Sequence, residues 1–254
     1  MIIIVDFGSQ TTHLIGRRIR DFGVPVQIVD PKHAVASITA EKPAGIILSG
    51  GPASVYEAGA PTVDKKIFEL GIPILGICYG WQLTAQLLGG TVESAKKEYG
   101  PTEFSVTDFS DLCYGFPEKS QVFESHGDSV TKVPAGFISI GSTESLDQAA
   151  IKLVDGTHKI FGVQFHPEMH HTKEGKHLLQ NFVTRICLLG LRTKRIVTDT
   201  MLTEIREKVG DRKVIGAFSG GTDSAVAGMM VAQAIGKNFI PFYVESGLMR
   251  MGTK

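Results

Sequence analysis

The amino-acid sequence predicts an α/β fold: a mostly parallel, doubly wound sheet followed by part of a second α/β domain. Over residues 1–90, short apolar runs alternate with segments of helical periodicity, as expected for parallel strands with helices on both faces. Residues 91–165 contain shorter stretches rich in Phe, Val, Thr and Ile between Gly, Asp and Pro, which indicates antiparallel strands. Residues 212–254 contain one strand-helix-strand pattern, which indicates the start of another domain.

Each element of the first predicted domain, residues 1–190, follows from its own pattern. Apolar runs predict strands at Ile2–Val5, from Val26, at Ile46–Leu48, at Pro73–Ile77 and at Lys159–Phe165. Helical spacing predicts a helix capped by Ser9 and a helix marked by Val63, Ile67 and Leu70. A further helix is predicted after Cys78 and stops at Gly89-Gly90. A last helix has Leu179, Phe182, Val183 and Ile186 on one face.

The rest of the chain divides into a linker and an incomplete domain. Residues 191–211 form the predicted linker, which is basic at its start and contains a short helix. Residues 212–254 contain the predicted elements Val214–Phe218, Asp223–Ile235 and Phe239–Val244. One strand-helix-strand unit cannot bury both faces of its own sheet. We therefore interpret this segment as the truncated start of a domain that further chain would complete.

Composition and charge exclude several classes of protein. Lys plus Arg and Asp plus Glu both number 26, so we expect no basic surface for nucleic acid or for an anionic membrane. No segment contains the roughly 18 consecutive apolar residues that span a bilayer. Three cysteines, an odd number, argue against a disulfide framework and favour a reducing compartment. These features predict a soluble, cytoplasmic protein.

The strongest functional signal is the cysteine in Gly76-Ile-Cys-Tyr-Gly80, where a predicted strand runs into a predicted helix. This G-x-C-x-G pattern is the thiol counterpart of the G-x-S-x-G nucleophile elbow, whose sharp turn needs small residues on both sides. The positive end of the helix favours a thiolate at Cys78. The alternative is a buried structural cysteine, and that is our interpretation of Cys113 and Cys187.

A cysteine nucleophile needs a base, and the base needs a group that orients it. His166 and Glu168 end an apolar strand two residues apart, so their side chains project to the same side of an extended chain. We therefore predict a triad of Cys78, His166 and Glu168. The alternative is a surface histidine beside a solvated carboxylate. A zinc site at His166, His170 and His171 is disfavoured because their spacing matches no zinc motif, and no metal site is predicted.

Attack on a carbonyl also requires hydrogen-bond donors for the developing oxyanion. The loop Ser49-Gly-Gly-Pro-Ala-Ser-Val55 follows a predicted strand, at the edge where open α/β sheets bind ligands. Its glycines would let backbone amides approach a substrate. The amide of Tyr79, next after the nucleophile, is a second candidate donor. Because Gly-Gly-Pro turns are common, this prediction depends on the loop lying close to Cys78.

Together these segments resemble the class I (triad) glutamine amidotransferases. The resemblance rests on the Cys78 corner, the Ser49–Val55 loop and the segment Val163-Gln-Phe-His-Pro-Glu168. Two further motifs narrow the resemblance to one family, Asp6-Phe-Gly-Ser-Gln10 and Ser125-His-Gly-Asp128. With them, residues 1–190 are similar to the amidotransferase half of the GMP synthase family.

The resemblance implies a class I glutamine amidotransferase architecture and hydrolysis of glutamine through a thioester on Cys78. It also implies that Gly51 and Tyr79 form the oxyanion hole. Gln82 and Asp128 would help to hold the glutamine. No cofactor is implied for the glutaminase reaction.

A second motif, Phe218-Ser-Gly-Gly-Thr-Asp-Ser-Ala225, lies between a predicted strand and a predicted helix, where glycine amides and a helix N-terminus can bind phosphate. It lacks the lysine of a Walker A loop. It resembles the pyrophosphate loop of the N-type ATP pyrophosphatases, which have the adenine-nucleotide alpha-hydrolase fold. The resemblance places ATP at Ser219, Gly220, Gly221, Thr222, Asp223 and Ser224. A glycine-rich turn without a ligand is the alternative.

In the complete synthases that this chain resembles, Mg-ATP adenylates XMP and ammonia from the first domain displaces AMP. ATP, Mg²⁺ and XMP are therefore expected only in a complete enzyme. A homodimer is expected only if the C-terminal dimerisation part is present. Thr11 departs from the family pattern, which usually has an aromatic residue at that position.

Other functions remain open for the first domain. A non-catalytic module could bind glutamine and regulate a partner, and in that case Cys78 would be inert. A glutaminase that serves another synthase is disfavoured by the loop at residues 219–224. Enzymes that pass ammonia between sites keep the glutaminase slow until the acceptor site is filled, so weak hydrolysis is expected from this chain alone.

Overall fold

The structure is a computed structural model and describes residues 1–191, 194–218 and 221–243. The chain divides into two units, Met1–Arg192 and Thr193–Lys254. The helix of the predicted linker falls in the second unit. Ser219 and Gly220 of the predicted ATP loop, and Val244 of the last predicted strand, lie outside the described residues.

The first unit is built on one sheet. Its strands are β1 (Ile2–Val5), β2 (Val26–Val29), β3 (Gly45–Leu48), β4 (Ile74–Ile77), β5 (Thr91–Val106), β6 (Lys119–Lys132), β7 (Phe137–Thr143), β8 (Ala150–Leu153) and β9 (Ile160–Val163). Their order is β2-β1-β3-β4-β9-β8-β7-β5-β6. The pairs from β2 to β9 are parallel and the pairs from β9 to β6 are antiparallel. This confirms the predicted α/β class and the antiparallel strands expected within residues 91–165.

The first three α-helices of the first unit lie between strands along the chain, and the fourth follows β9. They are α1 (Thr12–Arg20), α2 (Ala34–Glu41), α3 (Tyr79–Leu87) and α4 (Gly175–Asn181), and α4 continues into a π-helical turn at Phe182–Ile186. The prediction of a helix around Ile67 is wrong, because the chain forms only a short 3₁₀ helix there, Lys65–Glu69. Asp64 before it is extended, so Val63 reaches the core from outside the helix.

The cap predicted for the first helix is also wrong. The N-cap residue of α1 is Thr11 and not Ser9. Ser9 lies two residues earlier, in a turn closed by the amide of Thr12, which donates to the carbonyl of Ser9. The side chain of Ser9 bonds Thr11 and so does not reach the first turn of the helix.

Both faces of the sheet are covered, as the uninterrupted apolar strands predict. Ile2 and Ile4 of β1 pack into one core with Ile15 of α1. Ile3 of β1 packs into the opposite core together with Trp81 of α3. Because the central strands are parallel, their carboxyl ends meet at one edge of the sheet, where the predicted site residues follow them.

The second unit is small. It contains α5 (Lys194–Val209), β10 (Val214–Phe218), α6 (Thr222–Ile235) and β11 (Phe239–Tyr243), and its two strands are parallel. The guanidinium of Arg206 on α5 donates to the carbonyl of Ala234 on α6 at 3.0 Å. Several of its apolar side chains are exposed, among them Ile215 and Met229. In the described part of the chain, no helix is both long enough and apolar enough to cross a membrane.

Candidate active site

The carboxyl ends of three neighbouring parallel strands bring the predicted site residues to one place. Leu48 of β3 pairs with Gly76 of β4, and Gly76 pairs with Gly162 of β9. The chain therefore leaves β3 into the Ser49–Val55 loop beside the point where it leaves β4 at Cys78. The segment with His166 and Glu168 follows β9 on the other side of Cys78.

Cys78 occupies a strained turn between β4 and α3. Its backbone has φ 50° and ψ −108°, a region that non-glycine residues rarely adopt. A Cβ on Gly76 would lie 2.7 Å from the amide nitrogen of Trp81, and a Cβ on Gly80 would overlap the carbonyl of Leu48. Both glycines of the G-x-C-x-G pattern are thus sterically required, the first by the turn itself and the second by the neighbouring strand.

His166 and Glu168 form a buried pair beside the cysteine. The Nδ1 atom of His166 lies 2.8 Å from Oε1 of Glu168, and Glu168 is fully buried. Burial disfavours the charged imidazole, but the hydrogen bonds with Cys78 and Glu168 outweigh it and raise the pKa of His166 to about 11. The imidazole is therefore protonated at neutral pH and can donate a proton to a reacting group beside it.

Two further groups contact the sulfur of Cys78. The amide nitrogen Nε2 of Gln164 donates to Sγ at 3.6 Å, and the carbonyl of Ser125 lies 3.8 Å from Sγ. The other two cysteines have different surroundings, because burial raises the pKa of Cys113 and of Cys187 to about 12. Of the three thiols, Cys78 has both a protonated base and a hydrogen-bond donor beside it.

The predicted oxyanion donors lie next to each other. A Cβ on Gly51 would come within 3.3 Å of the ring of Tyr79. In the described part of the chain, the backbone amides of Gly51 and Tyr79 donate to no protein acceptor. The phenol of Tyr79 donates to the carbonyl of Pro61, which ties α3 to the segment that follows the loop. Gly50, the other glycine of the loop, leaves room for the imidazole of His166.

A cavity of about 680 Å³ opens onto the sulfur, a volume typical of small-molecule sites. Gln82 and Asp128, the predicted glutamine-binding residues, both line it. Nε2 of Gln82 donates to the carbonyl of Asp128 at 2.7 Å, and the phenol of Tyr56 donates to the Asp128 carboxylate at 3.0 Å. Among the described residues, no three His, Cys, Asp or Glu side chains are placed to hold a metal ion.

The residues of the Ser125–Asp128 motif make different contacts. Ser125 contacts the sulfur through its carbonyl, and Asp128 contacts Gln82 and Tyr56. His126 is buried, with Nε2 lying 3.1 Å from a carboxylate oxygen of Glu124. Nε2 of His126 also lies 3.5 Å from a carboxylate oxygen of Glu98 in β5, and the histidine lines the cavity.

Sequence reasoning missed three residues of this site. Gln164 could have been found, because it lies near the end of the predicted strand Lys159–Phe165 that leads to His166, and β9 itself ends at Val163. Tyr56 directly follows the glycine loop, but nothing in the local pattern indicates its contact with Asp128. The hydroxyl of Thr11 donates to Oε1 of Glu168 at 2.6 Å, a contact between residues that are far apart in the chain.

The described part of the predicted ATP loop forms the start of α6. Gly221 is the N-cap residue, with φ −85° and ψ 156°, and Thr222 and Asp223 begin the helix. The hydroxyl of Ser224 donates to the carbonyl of Gly221 at 2.9 Å. Helix amides at such a terminus point outward and attract anions.

Comparison with known proteins identifies the family. The model of the family "Glutamine amidotransferase class-I" matches residues 3–186. This chain belongs to the class I glutamine amidotransferases. The match confirms the family that the cysteine, loop and histidine segments predict, and it covers every residue of the site around Cys78.

The sequence of this amidotransferase is also similar to longer relatives. GMP synthase [glutamine-hydrolyzing] of Staphylococcus carnosus is 47% identical over 254 residues, which are 99% of this chain and 49% of the relative. The protein of the same name from Staphylococcus aureus strain JH9 is 46% identical with the same coverage. The chain thus spans about half the length of the curated relatives it matches.

Solved structures support the fold of the first unit. A GMP synthase subunit from Thermoplasma acidophilum matches with a TM-score of 0.67 and 33% identity, over 74% of this amidotransferase and 93% of that chain. A Thermotoga maritima glutamine amidotransferase matches with a TM-score of 0.58 and 20% identity, over 73% and 97% of the two chains. The second of these likenesses concerns the fold alone.

Proposed function

We propose that this chain hydrolyses the side-chain amide of glutamine at Cys78 to release ammonia. We further propose that the ammonia serves the ATP-dependent amination of XMP to GMP in the whole protein. The arrangement of Cys78, His166 and Glu168 carries the first proposal. A thiol in a strained turn, a protonated imidazole and a buried carboxylate together make a nucleophile, a proton donor and an orienting group.

The first half of the reaction forms a thioester. The thiolate of Cys78 attacks the side-chain carbonyl carbon of glutamine, and the carbonyl oxygen becomes an oxyanion. The amides of Gly51 and Tyr79 donate to that oxyanion, and their lack of acceptors among the described residues leaves them available for it. His166 gives its Nε2 proton to the amide nitrogen, the carbon–nitrogen bond breaks, and ammonia leaves.

The second half of the reaction releases glutamate. Once the sulfur is acylated, it no longer carries the negative charge that stabilises the imidazolium of His166, so the pKa of His166 falls. The neutral imidazole can then take a proton from water, and the resulting hydroxide attacks the thioester. Glu168, which stays on Nδ1, keeps Nε2 directed at the reacting atoms.

Binding of glutamine is proposed to involve Gln82 and Asp128. Both line the cavity, and the contact between them fixes one part of its wall. The Asp128 carboxylate is an acceptor suited to the α-amino group of an amino acid. Because Tyr56 donates to the same carboxylate, it sets the direction in which Asp128 presents its oxygens.

The partners of the whole protein are proposed from the similarity to GMP synthases. The pyrophosphate of ATP would lie at Ser219, Gly220, Gly221, Thr222, Asp223 and Ser224, and Mg²⁺ would accompany it. An extended Gly221 before α6 supports this, since it lets the first helix amides face an anion. The glutaminase itself is proposed to need no cofactor. We propose a homodimer only for a chain with the C-terminal part, and a cytoplasmic location in line with three free cysteines.

Glutamate release tests the proposal. Purified chain is incubated with glutamine, and glutamate and ammonia are measured for the wild type, Cys78→Ala and the matched control Cys187→Ala. Loss of the nucleophile is expected to lower the rate by about 10³-fold or more, while the control keeps the wild-type rate. Equal release by wild type and Cys78→Ala would contradict the enzymatic proposal and favour a regulatory glutamine-binding module.

A further inference from the structure

Thr11 makes a contact that its position in the helix does not require. It is the N-cap residue of α1, and threonine hydroxyls at that position usually accept a hydrogen bond from the first turn. No such side-chain bond is present at Thr11. Its hydroxyl donates to Oε1 of Glu168 at 2.6 Å instead. The chain gives up a capping hydrogen bond to reach the carboxylate of the triad.

The direction of each hydrogen bond in this group follows from the carboxylate. An ionised carboxylate only accepts, so Thr11 must be the donor to Glu168. Its oxygen is then free to accept, and the hydroxyl of Ser9 lies 2.8 Å away and donates to it. The amide of Thr11 donates back to the Ser9 oxygen at 3.2 Å. The Thr11 hydroxyl is therefore held in one orientation.

The buried carboxylate depends strongly on this contact. Glu168 is fully buried, and among the described residues its Oε2 has no hydrogen-bond partner. Its side chain is satisfied by two donors on Oε1, the imidazole of His166 and the hydroxyl of Thr11. If a buried carboxylate loses one of its two hydrogen-bond donors, the folded state loses stability and the carboxylate can rotate.

We propose that Thr11 is a positioning residue of the triad, whose hydroxyl, fixed by Ser9, orients the Glu168 carboxylate that in turn orients His166. This inference rests on the proposed glutamine hydrolysis. Thr11 does not touch the reacting atoms, so it acts through Glu168. Other polar and charged groups around the pair are the guanidinium of Arg18, which donates to the carbonyl of Glu168 at 3.2 Å, and the thiol of Cys78.

Kinetics of Thr11→Val, which removes the hydroxyl and keeps the shape, test the proposal. We expect kcat for glutamine to fall by about 10-fold or more with little change in KM, as for a lost hydrogen bond to a charged group. A hydrogen bond donated to a carboxylate favours its charged form. Without that bond the acidic limb of kcat/KM, which reports protonation of the triad as a unit, moves to higher pH.

Two further variants provide rescue and control. Thr11→Ser restores the hydroxyl and is expected to return both the rate and the acidic limb toward the wild type. Thr39→Val removes an exposed threonine hydroxyl that bonds the carbonyl of Val35 in α2, and it is expected to change neither. A uniform loss at every pH that Thr11→Ser does not reverse would overturn the proposal, as would wild-type kinetics in Thr11→Val.

Alkylation of Cys78 by iodoacetamide gives a readout that does not need turnover. The pH dependence of its rate is expected to move to higher pH in Thr11→Val, and an unchanged profile would overturn the proposal even if the wild type hydrolyses no glutamine. Cys113 and Cys187 do not line the cavity that opens onto Cys78, and burial raises the pKa of both thiols to about 12, so they should react only on unfolding. If Cys113 or Cys187 reacts in Thr11→Val, that variant has unfolded, and Ser9→Ala is measured in its place. A pH profile of alkylation in Ser9→Ala identical to that of the wild type then overturns the proposal.

Discussion

The two units of this chain differ in how much structure supports their predicted sites. In the first unit, the candidate triad lies at the edge of a sheet covered on both faces, and Glu168 is fully buried. In the second unit, the predicted phosphate loop adjoins two strands, and side chains such as Ile215 and Met229 are 68% and 72% exposed.

This difference indicates what a motif needs in order to act. Both motifs are glycine-rich sequences between a strand and a helix. Only the first lies among buried side chains that fix charged groups against each other. A nucleophile requires such fixed neighbours, since charge pairs weaken where water reaches them. The predicted phosphate loop precedes α6, whose first amides can face an anion, and recognition of a nucleotide would need further contacts.

Matched glycine substitutions provide the largest expected contrast. A Cβ at Gly80 would overlap the backbone carbonyl of Leu48, whereas a Cβ at Gly228 in α6 would overlap only the end of the Phe218 side chain. We expect Gly80→Ala to lower the free energy of unfolding of the first unit by about 3 kcal/mol or more. Gly228→Ala should change the stability of the second unit by about 1 kcal/mol or less, because alanine favours a helix.

The single tryptophan reports the effect of each substitution on the first unit. Trp81 is buried in the first unit, so its fluorescence during urea unfolding reports that unit. Gly80→Ala should move the fluorescence transition to lower urea and abolish glutamate release, while Gly228→Ala should leave both unchanged. Equal effects of the two substitutions would remove the distinction drawn between the units.

Titration of His166 is a finer test of the charge arrangement. Burial opposes its protonation, but contacts with Cys78 and Glu168 raise its pKa to about 11. In Cys78→Ala one of these contacts is lost, so the pKa of His166 should fall. NMR titration of the imidazole Cε1 proton, assigned with His166→Asn, measures this. Cys187→Ala serves as the control, and a pKa that is the same in Cys78→Ala and wild type would contradict the ion pair.

The same interaction has a consequence for stability. Because the pKa of His166 in the folded chain lies above its ordinary value of 6.5, protonation of this residue stabilises the fold fully below pH 6.5. That contribution is lost as the pH rises toward 11. The decline of stability over this window should therefore be smaller in Cys78→Ala than in the wild type, as urea unfolding at a series of pH values would measure.

Much of the first unit could be predicted because its information is local. The turn at Cys78, the segment with His166 and Glu168 and the Ser49–Val55 loop can each be recognised from a few consecutive residues. Parallel strands then bring the carboxyl ends of these segments' strands together at one edge of the sheet. The helices α3 and α6 also follow from local spacing. These are the features for which short-range sterics and periodicity decide the structure.

Other contacts could not be predicted because they depend on tertiary packing. Thr11 resembles an ordinary N-cap residue in sequence, and only the fold brings it to Glu168. Ser9 has the residue type and position of a cap, but its hydroxyl bonds Thr11. The 3₁₀ helix Lys65–Glu69 replaces an expected α-helix because an extended Asp64 already places Val63 in the core.

A covalent intermediate on Cys78 is the most direct test of the account. The wild-type chain is mixed with glutamine, quenched in acid within the first turnovers, digested and analysed by mass spectrometry. We predict a glutamyl group on the peptide that contains Cys78, absent from Cys78→Ala and from samples without glutamine. Release of glutamate with no glutamyl adduct on that peptide, or with the same adduct in Cys78→Ala, would contradict the assignment of Cys78 as the nucleophile.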